Sequence, residues 1–533
     1  MKNILKLAGI AVLCLSLTAC NDYFHKINFP YGGLTEEDLD RDNLRQGSMI
    51  PTMELYIVPL NTAGAFQHCE SLVGDVWGRM LMCEPGGGEN NFGGDFSWYS
   101  PAGDHWISNP FTNVMSFYQS YVSTWNFTGH DSANSVWALT RIMRVAVMHR
   151  LADMYGPIPY TAINPEDLDL YIPYDREEDA WKAMLKELDG AVEDLEACIS
   201  AGSCADITNF DRIYQGDMNK WCKYANSLLL RLAVRISNAE PELAKSYITK
   251  ALDRGVIESN EDNAVMHMRI GLMENITSHL YTMMSGAYND TYAAADLTCY
   301  MNGYKDARRP AYFTPYTFTN SSGETENVYF GLRAGSGASD AQVESTCSRP
   351  NVSQYSDYPL LTAAEVSFLR AECALKGWAD GDAGDLYENG VRLSFSQWGV
   401  SGADAYLADS ESVPAAYKDY MNSESTENGP SDLTIAWNDG DDAEKKLQRI
   451  ITQKYIALYP LGHETWCDYR RTGYPEFMPI CSGKVSPQYA AMPVANRLKF
   501  SVDESRQNSA NLETAKTYLG GADDYSTKLW WAK

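Results

Sequence analysis

Trp98 and Tyr99 stand in GGDFSWYSPAGDHW, between glycines and a proline and outside any helical pattern, and Trp106 follows seven residues later. Large aromatic rings in Gly-rich loops stack on the apolar faces of sugars, while nearby amides and guanidinium groups exchange hydrogen bonds with hydroxyls. Arg79, Asn90 and Asn91 stand where they could supply such bonds. The competing reading is a satellite hydrophobic cluster beneath a loop. A second patch of similar composition lies in YNDTYAAADLTCYMNGYKDARRP, with Tyr292, Tyr300 and Tyr304 beside Asn302 and Arg308.

Catalytic chemistry finds less support. With 70 acidic residues, some carboxylate pair falls at glycosidase separation in any fold, so their abundance argues nothing. There is no GxSxG elbow, no HExxH and no phosphate-cradling GxxxxGK. Gly86-Gly87-Gly88 lacks the flanking strand and helix of a nucleotide loop, and His463-Glu464 has no second histidine four residues on. The spacings Cys69…Cys83 and Cys467…Cys481 do not match zinc sites. No metal and no cofactor is therefore expected, and no motif specifies a structural calcium. Export would permit disulfides, and Cys198 with Cys204 could close a small loop. Cys373, within FLRAECALKGW, reads as a small core residue.

The N-terminus supplies another kind of chemistry. Lys2 and Lys6 precede an apolar run from Leu7 to Leu17, too short for the roughly 20 residues that span a bilayer. It fits a secretory signal, residues 1–19, and Leu17-Thr18-Ala19-Cys20 resembles the bacterial lipobox, in which the cysteine is lipidated and becomes the first mature residue. Two or three acyl chains, at about 0.8 kcal/mol per buried CH2, anchor a protein stably. Residues 20–45 would be a lipidated spacer and 46–533 a single domain.

Net charge is −27, and loss of Lys2 and Lys6 with the signal makes it −29. So acidic a surface disfavours nucleic acid and anionic lipid headgroups. The 34 Tyr and 13 Trp are mostly material for a core, and secondarily for sugar stacking.

Helical periodicity appears in two blocks, about 131–255 and 362–475. The first runs from Asp131 or Ser132 as N-cap to Tyr155, stopped by Gly156-Pro157. It continues with a helix after Asp175, one over Met218–Ile236 and one from Pro241 to Leu252. The second has helices over Ala363–Lys376, Asp385–Phe395 and Lys445–Leu461. Residues 50–130 and 260–360 are rich in turn formers and aromatics and read as loop-rich regions suited to ligand. Helix pairs of this length predict a mostly α fold, a tetratricopeptide-like array with little β, the alternative being an irregular bundle.

Five segments carry a family likeness. HRLADMYGPIPYTAI (149–163), TAAEVSFLRAECALKGW (362–378) with GDAGDLYENGVRLS (381–394), QKYIALYPLGHETWCDYRRTGYP (453–475) and the closing YSTKLWWAK resemble, in order and together with the lipobox, the SusD/RagB family. The resemblance implies an outer-membrane lipoprotein facing the cell exterior. Such a protein captures a nutrient and sits as a lid on a SusC-type TonB-dependent barrel, its partner. The ligand it implies is a glycan, bound without catalysis, or in some members a peptide. A lipid-anchored glycoside hydrolase and a pure assembly scaffold are the readings from other classes. Arg470 and Arg471 could grip an anionic ligand. In a signature shared across ligands, they are expected instead to pair with Glu464 or with acids on a packed helix. Binding loops vary within the family, so no ligand residue is carried over from it.

Overall fold

The computed structural model describes residues 41–83, 104–166, 171–271, 273–285, 288–336, 338–421, 425–481 and 492–533. Two compact units are distinguished, Met1–Gln46 and Gly47–Lys533. The described part of the first contains a 3-10 turn at Arg41–Asn43, and everything below concerns the second.

Side-chain caps and glycine stops set the helix limits. Asn134 accepts the N–H groups of Val136 and Trp137 and starts the helix Ser135–Tyr155, so the cap lies two or three residues later than Asp131 or Ser132. The helix ends where Gly156 adopts φ +84°, a left-handed-side conformation that costs a residue without Cβ little. Numbered along the chain, the main helices are α1 (Asp104–Met115), α2 (Tyr118–Thr128), α3 (Ser135–Tyr155), α4 (Glu177–Ala201), α5 (Met218–Ile236) and α6 (Pro241–Arg254). They continue with α7 (Ala295–Gly303), α8 (Ala363–Leu375), α9 (Ala383–Gln397), α10 (Ala443–Ala457) and α11 (Gly462–Thr472). The helix expected over Lys445–Leu461 stops at Ala457, since Pro460 offers no N–H to continue it, and a fresh helix begins at Gly462.

Consecutive helices pack as hairpins, α3 on α4, α5 on α6 and α8 on α9; α4 leans on α5, α5 on α8, and α8 on α10. This is the tetratricopeptide-like arrangement predicted from the sequence. Trp77, Trp181, Trp221, Trp466 and Trp531 are all fully buried, and Trp77 meets Trp466 edge to face at 4.7 Å. Among the described residues, β structure amounts to five two-stranded antiparallel ladders. Leu81–Cys83 pairs with Thr291–Ala293, Leu81 facing Ala293. Tyr316–Thr319 pairs with Thr325–Val328, and Tyr417–Asp419 with Ser425–Glu427.

Region 50–130, expected to be loop-rich, is largely helical where described: Ile50–Glu54, Ala63–Phe66, a π-helical stretch Gln67–Gly74, α1 and α2. Its aromatics point into the core, as Phe66, Phe111 and Phe117 do. No helix among the described residues is long and apolar enough to cross a membrane. All ten cysteines from Cys69 to Cys481 are thiols, including Cys198 and Cys204, and Cys373 lies in the core.

Candidate functional site

Where α11 meets α3, α5, α8 and α10, the core is ionic. Arg231 donates to both oxygens of Glu365 at 2.8 and 2.6 Å, and Arg235 pairs with Asp153 at 2.6 Å and with Glu464. Arg471 forks onto Glu372, while Lys454 holds Asp468 at 2.7 Å. Arg470 donates to the carbonyls of Asp153 and Asn496, its guanidinium 3.5 Å from the centre of the Trp466 ring. Burial alone would push Asp153 and Glu464 up, but the guanidinium of Arg235 beside Asp153, and those of Arg231 and Arg235 beside Glu464, hold both below the ordinary carboxylate range. His463, buried and near Arg150, is pushed down to about 3 and so carries no charge at neutral pH.

These arginines are scaffold: Arg471 pairs with an acid on a packed helix, as expected, whereas Arg470 bonds carbonyl oxygens rather than a carboxylate. Glu464 is taken by α5, so Arg471 finds its carboxylate on α8. Asp153, His463 and Cys467 bring ligand atoms within 4.8 Å of one another, a geometry a metal could use. Arg235, however, already neutralises Asp153. The donor set does not favour an ion there.

Several residues expected to meet a ligand are interior. Arg79 is fully buried, bonded to Asp296 at 3.0 Å and to the Pro493 carbonyl at 2.6 Å. Tyr292 is locked in its ladder, its hydroxyl donating to the Asn289 carbonyl and accepting from Arg349 at 2.7 Å. Tyr300 on the buried side of α7 and Tyr304 at its C-terminal cap donate to the carbonyls of Glu476 and Leu433. Arg308 is chelated by Asp306. As packed, none of the five presents a face to solvent. The reason is shared: each polar tip has found a hydrogen-bond or ion-pair partner inside. Asn90, Asn91, Trp98 and Tyr99 lie outside the described residues. Trp106 falls on α1, with its side chain outside them.

The solvent-facing edge of the same region holds a cavity of about 410 Å³. Its floor is Thr298 and Cys299 of α7 with Phe330 and Tyr417, all buried. Burial pushes the Cys299 thiol and the Tyr417 phenol up, so the floor is uncharged. Half-buried Tyr329 and Tyr420 form its walls, with Asn302, Arg309 and Lys418, while Asn327 is exposed at the rim. Phe318, on the Tyr316–Val328 hairpin, meets Tyr420 edge to face at 4.7 Å. Asn302 donates to the Tyr329 carbonyl at 2.8 Å and accepts from Arg309 at 3.2 Å, which fixes one wall.

Gly303 explains how the opposite wall comes so close. A Cβ there would lie 2.1 Å from the Val413 carbonyl oxygen and 2.2 Å from the Ala415 nitrogen, so only glycine lets that segment cross the end of α7. Ala415 N–H then bonds the Cys299 carbonyl at 2.8 Å. The sequence pointed to Asn302 but not to Arg309, Tyr329, Lys418 or Tyr420. The available signal was the presence of four aromatics, Tyr316, Phe318, Tyr329 and Phe330, in one turn-rich segment.

The SusD-like family model, described as Susd and RagB outer membrane lipoprotein, matches residues 26–532. The chain belongs to the SusD/RagB family. Its fold closely follows that of a SusD-like protein from Bacteroides thetaiotaomicron VPI-5482, with TM-score 0.82 and 34% identity over 91% of this chain and 98% of that one. A SusD homologue from Bacteroides uniformis ATCC 8492 gives 0.81 and 34%, covering 92% and 100%. A chitin-binding SusD homologue from Flavobacterium johnsoniae gives 0.81 and 33%, covering 92% and 98%. No curated protein matches the chain. The SusD/RagB scaffold accounts for the helical array.

Proposed function

We propose that this SusD/RagB member is a non-catalytic glycan-binding lipoprotein, anchored at the outer membrane through lipid on Cys20. It captures saccharide at the cell exterior and delivers it, as a lid, to a SusC-type TonB-dependent barrel. The observation that carries the binding assignment is the groove beside α7. Tyr329 and Tyr420 offer half-exposed rings, Asn302 and Asn327 offer amides, and the floor is neutral. Rings take the CH faces of a sugar while amides answer its hydroxyls. A relative of similar fold described as chitin-binding supports the substrate class. Delivery rests on family membership, since a lid must favour its closed state when loaded, by differential affinity.

Calorimetry of the purified protein against a panel of oligosaccharides tests the assignment. Binding to at least one glycan is expected, weakened about two- to tenfold by Tyr329→Ala or Tyr420→Ala, as stacking of about 0.5–1.5 kcal/mol predicts. Retention of peptides with no glycan bound would move the assignment to a peptide-binding member. Release of product from a polysaccharide, abolished by a single carboxylate substitution, would make it a hydrolase.

A further inference from the structure

The groove beside α7 differs in charge from the rest of the molecule. The chain carries 70 acidic against 43 basic residues, yet among the described residues lining the groove there is no carboxylate and there are two cations, Arg309 and Lys418. From these positions we infer that the groove is selective for anionic saccharides, whose rings carry carboxylate or sulfate groups. This inference rests on the groove being the glycan site.

Arg308 and Arg309 are adjacent but differently employed. Arg308 is buried and wrapped by the Asp306 carboxylate, with Nη2 to Oδ2 at 2.6 Å. Arg309 is half-buried and bonds only neutral oxygens, the Asp306 carbonyl at 2.9 Å and Asn302 Oδ1 at 3.2 Å. Among the described residues it makes no ion pair, so its charge faces the cavity with its orientation already fixed. A guanidinium so held is preorganised for an oxyanion, which it binds bidentately and more strongly than a neutral hydroxyl.

Both cations lie next to the rings that would stack on sugar. The Arg309 guanidinium is 5.4 Å from the centre of Tyr329, and the Lys418 ammonium is 4.6 Å from Tyr420 and 5.3 Å from Phe318. A sugar stacked on either tyrosine would bring an equatorial carboxylate or sulfate within reach of a cation. The acidic exterior does not forbid this. Charges beyond roughly 8 Å are screened at physiological salt, whereas those lining the cavity act at contact distance.

The experiment titrates the full mature protein with three probes: polygalacturonate oligosaccharides, chondroitin sulfate oligosaccharides and neutral chitin oligosaccharides, each at low and high salt. An acidic probe is expected to bind about tenfold or more tightly than the neutral one and to weaken as salt rises. Which acidic probe binds better distinguishes carboxylate from sulfate. Arg309→Gln should cost about tenfold towards the acidic probe and distinctly less towards the neutral one, and Arg309→Lys should recover part of the loss. Lys418→Gln, on the opposite wall, gives a second reading should Arg309→Gln disturb folding. Tighter binding of the neutral probe, or indifference of the acidic one to both substitutions, overturns the inference while leaving the groove as glycan site. Failure of all probes, or binding unaffected by Tyr329→Ala, overturns the glycan site itself.

Discussion

Arg471 and Glu372, 99 residues apart, meet as a two-pronged ion pair at 2.5 and 2.7 Å, both almost wholly out of water. The pair fastens α11 to α8. An isolated buried charge costs several kcal/mol, so the pair fixes which helices can lie together more than it adds net stability.

Arg471→Leu should therefore destabilise the protein by about 3–5 kcal/mol, because Glu372 is left buried and unpaired. The double variant Arg471→Leu/Glu372→Leu should recover much of that loss. Urea unfolding of the four members of the cycle measures the coupling, and additive losses would show that the pair is not the fastening.

Glu177, at the start of α4, sets a pH dependence. One oxygen accepts the Trp530 N–H at 3.0 Å and the other has no hydrogen-bond partner among the described residues. Burial pushes its carboxyl up to about 8 from an ordinary 4.5. Between those values the native state binds the proton that the unfolded chain has released. Stability is thus fully present below about 4.5 and falls as pH rises towards 8, by up to about 1.4 kcal/mol per pH unit. Glu177→Gln should flatten that slope and raise the melting temperature most near pH 8. An unchanged slope would refute the assignment.

Gly303→Ala should be disproportionately harmful for one added methyl group. The Cβ would strike backbone atoms of Val413 and Ala415, which cannot swing aside as a side chain can. A loss of about 1–3 kcal/mol is expected, together with weaker ligand binding as the wall at Ala415–Lys418 shifts. Full retention of both properties would mean that the crossing is loose.

Cys20→Ser should release the protein from the membrane fraction, because a hydroxyl cannot take the thioether-linked lipid that the LTAC motif invites. Cell fractionation and labelled palmitate measure this. Continued sedimentation with membranes would argue for a different anchor.

The scaffold was legible because its signals are local. Met218–Ile236 is bounded by the Asp217 cap and a long apolar stripe, and the helix matches the expected span residue for residue. The site was less legible because exposure is not local. Tyr300 and Tyr304, four residues apart, were also the spacing of a buried stripe, and that reading won. Arg308 and Arg309 cannot be told apart by type. Only the position of the Asp306 carboxylate assigns one to the interior and one to the cavity. Tyr329 and Tyr420 are brought together by chain segments 91 residues apart, which no periodicity reports.

The two hairpins beside the groove have a last consequence. Each pairs with itself alone among the described strands, Tyr316–Thr319 with Thr325–Val328 and Tyr417–Asp419 with Ser425–Glu427. Neither contributes a strand to the helical array, so the exposed side chains of either could be changed without unfastening a single helix. A lineage facing a new polysaccharide could change what it eats by editing about two dozen positions at the rim, leaving several hundred beneath them untouched.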